Sequence, residues 1–155
     1  MTMKLGAGFA IAAMLMAFPA AAQDKGKDDD NKPAPRRGQA GLLTGVKKLD
    51  PITLGSGKPL TSKPYELEAG KYYRLPIVSD GTAELAITGP DFFRNVWINE
   101  IVVNEIEIRP LGVESLEFDD EGTATISFVT IRPGTFTLRI PNTTSDAQQA
   151  VFNVK

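Results

Sequence analysis

An all-β domain, built as an antiparallel sandwich of seven to nine strands, is predicted by three features of this sequence. From Leu49 onward, short apolar segments are separated by turn residues at intervals of about 8 to 12 residues, with no useful helical period between them. Within that region, residues 123–140 carry two alternating runs. Ala124, Ile126 and Phe128 share one face of the first, and Phe136, Leu138 and Ile140 one face of the second. The third feature is an absence. The 155 residues include no Cys, so no disulfide can staple the fold and a hydrophobic core must hold it.

Taken in order, residues 1–22 read as a secretory signal peptide. A single cation, Lys4, precedes an apolar run from Leu5 to Phe18, and Ala20, Ala21 and Ala22 stand before Gln23. The run falls short of the ~20 residues a spanning helix needs, and the small residues suit cleavage after Ala22. An uncleaved membrane anchor is the alternative; a lipid anchor has no Cys to acylate. Residues 23–48 mix charge, Gly and Pro and read as a flexible linker, because too little apolar surface is present to offset ordering entropy. Asp28, Asp29 and Asp30 lack the alternating spacing of a calcium loop, and Arg36 and Arg37 read as solvated.

The domain is expected at residues 49–155. Strand-like segments lie at 52–54, 65–68, 71–78, 82–88, 95–103, 106–108, 114–118 and 150–154, besides the two runs within 123–140, and seven to nine strands are expected from them. Asn104 and Glu105 form a tight turn, and Pro133 with Gly134 is expected to fold the two long runs into a central hairpin. Gly89 and Pro90 break the pattern before Phe92 and Phe93. Read as extended, that segment points one ring into the core and the other outward. Trp97, at the head of a strand, is expected in the core.

In the order strand, Pro-Gly-Thr-aromatic turn, strand, loop, strand, residues 128–141 (FVTIRPGTFTLRIP) and 150–154 (AVFNV) resemble the cupredoxins, the plastocyanin-like blue copper proteins. The resemblance spans about residues 65–155 and implies a Greek-key sandwich. In such proteins a Cys ligand ends the strand after that turn, a His and usually a Met follow in the next loop, and another His lies earlier. Here Ile140 stands near the Cys position, residues 143–149 offer no His or Met, and residues 92–96 offer no His. An immunoglobulin-like or fibronectin-like sandwich is the rival topology.

Chemistry is bounded by missing side chains. With no Cys and no His, the chain cannot supply the two imidazoles and thiolate of a blue copper site, nor a triad built on either residue. Thiolate and imidazole zinc sites are excluded as well. Carboxylates remain: within residues 100–121, Glu100, Glu105, Glu107, Glu114, Glu117, Asp119, Asp120 and Glu121 stand against the single cation Arg109. Such a cluster allows an acid–base pair, a calcium site, or polar strand faces and a solvated turn. The net charge of -2 gives no reason to expect nucleic acid.

These features lead to the expectation of a secreted or periplasmic, non-catalytic binding or accessory domain without cofactor or blue copper site. The alternatives are a copper-related cupredoxin-family carrier or electron-transfer relative, and a carboxylate-dependent enzyme or calcium-binding module. A protein partner is expected to engage Phe92 and Phe93, steered by Glu105, Glu107, Asp119, Asp120 and Glu121. No stable membrane insertion is expected after signal cleavage.

Overall fold

The computed structural model describes residues 45–155 together with Leu43. The expected signal peptide, and the expected linker up to residue 42, lie outside the described residues. Two sheets face each other across one core. The first runs β1 (Lys47–Lys48), β4 (Tyr72–Ser79), β9 (Gly122–Thr130), β6 (Val96–Val103), β7 (Ile106–Ile108), with β2 (Ile52–Leu54) also paired to β4. The second runs β3 (Tyr65–Leu67), β11 (Gln149–Val154), β10 (Gly134–Arg139), β5 (Leu85–Thr88), β8 (Ser115–Phe118).

The all-β sandwich is as expected, but eleven strands are present among the described residues where seven to nine were expected, and the sheets are mixed rather than purely antiparallel. β1 and β2 both lie parallel to β4, and β3 lies parallel to β11. Among the described residues, strand pairing begins before Leu49, since Lys47 and Lys48 pair with Tyr73 and Arg74. β1 and β2 share one edge of β4 between them. Pro76 falls after the β1 register and before the β2 register. A residue without an N–H is tolerated at such a break in an edge ladder.

The long runs at 123–130 and 134–139 do not form a hairpin. β9 is the centre of the first sheet, paired along its length with β4 and β6, so it has no free edge for β10. Ile131, Arg132 and Pro133 instead carry the chain across to the second sheet, where β10 pairs with β11 over six residues. Gly134 makes that entry at φ +152, and a Cβ there would come within 2.8 Å of the Phe136 ring.

Between the sheets, Phe128 of β9 and Phe152 of β11 are both fully buried. Phe92 stands between them, 5.3 Å from one ring and 4.5 Å from the other. It is carried by a one-turn helix, α1 (Pro90–Arg94), where an extended segment was expected. The signals for that turn are local: Pro at the first helical position, Asp91 in the first turn and Arg94 in the last.

Candidate functional site at the open side of the sandwich

β6 and β7 form a hairpin whose two-residue turn holds both Asn104 and Glu105 at positive φ, 48 and 66. Such a primed turn matches the twist of the flanking strands. β7 ends the first sheet and β8 ends the second, and residues 109–114 carry the chain from one edge to the other. Ile106 and Ile108 lie opposite Val103 and Ile101 on the core-facing side of β7. Nothing from the second sheet covers them fully. Ile106 is 65% exposed, Ile108 46%, and Leu111 in the crossover fully exposed.

Beside this hairpin the gap between the sheets widens into an open cleft of about 280 Å³. Val103, Leu116, Phe118 and Ala124 give it apolar walls, while Glu117, Asp119, Asp120 and Glu121 make its rim acidic. Leu116 and Phe118 pair with Ile87 and Leu85 on β5 and point inward against the core. The rim is tied down by backbone. Asp120 Oδ1 accepts from the Glu121 N–H at 2.8 Å, and a Cβ on Gly81 (φ +69) would come within 2.9 Å of Glu121 N, so the two loops are in close contact.

Arg109 is already engaged. Its guanidinium lies 3.1 Å from Glu100 and 3.0 Å from Glu107, and it donates to Asn99 Oδ1 at 2.9 Å. The Asn99 amide donates in turn to the Tyr72 hydroxyl. Asn99 sits at a bulge in β6, which resets the alternation so that buried Glu100 turns to the outer face and Ile101 to the core. Among the described residues, Glu105, Glu117 and Asp119 have no ion-pair partner.

The sequence-predicted site residues therefore divide. Asp119, Asp120 and Glu121 line the cleft together, and Glu105 and Glu107 belong to the adjoining hairpin. Phe92 and Phe93 do not join them. Both rings are buried, at 0% and 9% exposure, and α1 meets β6 at Val96 whereas the hairpin leaves it at Val103, roughly 20 Å away at strand rise. The expectation that one ring faces solvent is corrected: helical φ/ψ lets both turn inward, where extended backbone would have separated them. Trp97 is the reverse correction. Val96 faces the core, so the next residue faces out, and Trp97 is 49% exposed beside Val129. Strand parity carried that signal. Ile106, Ile108 and Leu111 were missed because alternation identifies a face but not whether a second sheet covers it.

The same architecture occurs in solved proteins. A multi-copper oxidase from Pseudomonas thermotolerans superposes with a TM-score of 0.53 at 14% identity, over 71% of this chain and 30% of that one. The fold is cupredoxin-like. A copper nitrite reductase from Nitrosomonas europaea gives 0.48 at 15% identity over 62% and 33% of the two chains, and a further multicopper oxidase 0.47 at 10% over 59% and 32%. The chain thus spans about a third of the length of each. No protein-family model and no curated protein matches it.

The cupredoxin-like residues do not fit a blue copper ion. The position resembling the thiolate ligand is Ile140, buried, with its N–H donated to the Gln148 carbonyl. In the following loop, the side chains of Thr143, Ser145 and Asp146 bond to the loop itself and to neighbouring residues. The region of the earlier His is α1, whose inward side chains are phenyl rings. A trigonal site of two imidazoles and a thiolate has no donor here.

Proposed function

We propose that this chain is an exported, non-catalytic binding domain that meets a protein partner through the open side formed by β7, β8 and their crossover. The observation that carries the reading is the exposure of Ile106, Ile108 and Leu111 beside an acidic cleft. Exposed apolar groups supply the desolvation gain of an interface, while the flanking charges chiefly raise the association rate. A carboxylate-based enzyme finds less support. Catalytic acids are tuned by burial or close neighbours, whereas Glu117, Asp119, Asp120 and Glu121 stand exposed around an open cleft. Export is supported by the signal-like residues 1–22. Among the described residues, no helix is long and apolar enough to cross a membrane.

The test uses the full chain expressed with its own leader. Intact mass of the exported protein is expected to begin at Gln23. Leu111→Ser should change folding stability by no more than about 0.5 kcal/mol, since its side chain is fully exposed, and Ile106→Ser by about 1 kcal/mol, since part of its side chain packs on the β6–β7 hairpin, while each reduces retention of a partner from the same compartment. Variants that retain it as well as the parent refute the surface.

A further inference from the structure

β7 is short, and its hydrogen-bonding pattern can be read from its turn. In a two-residue hairpin the pair flanking the turn, here Val103 and Ile106, is hydrogen-bonded, and the next pair, Val102 and Glu107, is not. The Glu107 N–H and C=O therefore point away from β6, toward an edge with no strand neighbour among the described residues. Side chains along that edge alternate. Ile106 and Ile108 face the gap between the sheets, while Glu107 lies on the outer face, where Glu100 and Glu107 share the one guanidinium of Arg109. Glu105 adds a further carboxylate at the turn, with no ion-pair partner among the described residues.

This pattern restricts what can lie alongside. A second copy docking β7 antiparallel on β7, centred on the strand, would set Glu107 directly against Glu107 of its neighbour, and like charges directly opposite repel. A complementary strand needs apolar residues opposite Ile106 and Ile108 and a cation opposite Glu107. Its inward side chains would also extend over the apolar walls of the acidic cleft.

We propose that β7 is a docking edge for an extended segment of a partner protein that alternates apolar and basic residues and joins the first sheet as an added strand. The proposal rests on the open side being the contact surface, and it names the partner's chemistry there. Main-chain bonds at Glu107 hold the segment, Ile106 and Ile108 are covered by its apolar side chains, and the acidic rim selects its charge.

The test titrates the full chain with a synthetic peptide alternating Lys and Val, beside one alternating Glu and Val and one alternating Lys and Gly. The Lys-Val peptide should bind, slow exchange of the Glu107 amide, and weaken with added salt; the other two should bind at least roughly tenfold more weakly. Glu107→Pro removes the outward N–H while leaving the β6–β7 ladder bonds, and should cost roughly tenfold in affinity. Glu107→Gln keeps the N–H and should cost only a few-fold. Equal binding of the Lys-Gly peptide, or an unprotected Glu107 amide in the Lys-Val complex, overturns strand addition whether or not the Pro variant folds. A dimer in sedimentation that Glu107→Gln strengthens shows a self-pairing edge and overturns it too. Failure of every peptide overturns the proposal; the contact surface itself falls only if Ile106→Ser and Leu111→Ser also leave native partner retention intact.

Discussion

Phe92 offers the most direct check on the packing described above. Its ring is fully buried and touches three others: Phe93 at 5.6 Å edge to face, Phe128 at 5.3 Å edge to face, and Phe152 at 4.5 Å tilted. Phe92→Ala forfeits about 2 to 3 kcal/mol of apolar transfer. It also removes ring contacts worth about 0.5 kcal/mol each at the low end. The total of about 3 to 5 kcal/mol matches the usual cost of truncating a buried Phe, a large share of the roughly 5 to 15 kcal/mol that stabilises a domain. Urea unfolding followed by Trp97 fluorescence measures it, with an unchanged slope confirming that the denatured state is unaltered. Phe93→Ala should also destabilise, by about 2 kcal/mol or more, because its ring is nearly as buried. A loss below about 1 kcal/mol for Phe92→Ala would refute the inserted-ring packing. An unaffected Phe93→Ala would restore the outward ring expected from the sequence.

Three further predictions follow from the electrostatics, the hairpin turn and the missing ligands. The Lys58 ammonium, then the Thr82 hydroxyl and N–H, hold the Asp80 carboxyl down to about 2, and Lys155 and Lys47 lower Glu66 and Glu68. A depressed carboxylate contributes stability above its unfolded value and loses it as pH falls through its folded value. Unfolding free energy should therefore drop from about pH 4 toward 2, with a shallower fall in Asp80→Asn. It should stay nearly flat from about pH 6 to 8, where the chain has no His to titrate; a steep slope there would reveal a strongly shifted carboxylate. Glu105→Gly should raise stability by about 1 kcal/mol in urea unfolding, since Glu105 holds φ 66 at the second turn position and Gly carries no penalty there. Added copper(II) should give no intense visible thiolate charge-transfer band, and such a band would contradict the donor inventory.

Alternation by itself determined most of the strands, because a half-buried strand must place its apolar residues at every second position. Residues 106–108 are β7 as read, and the 123–130 and 150–154 runs became β9 and β11 with small shifts at their ends. The likeness at FVTIRPGTFTLRIP correctly pointed to a cupredoxin-like sandwich, and the donor inventory needed no coordinates at all. What tertiary structure decided was which edge each strand uses and which face is covered. Residues 123–130 and 134–139 are neighbours in sequence, yet they lie in different sheets because β4 and β6 occupy both edges of β9. Glu105, Glu107 and the 119–121 acids share one side of the molecule only because β7 and β8 both end their sheets. Ile106 is exposed on its inward face for the same reason: period-2 patterning assigns a side chain to a face, and solvent reaches that face unless another element packs over it.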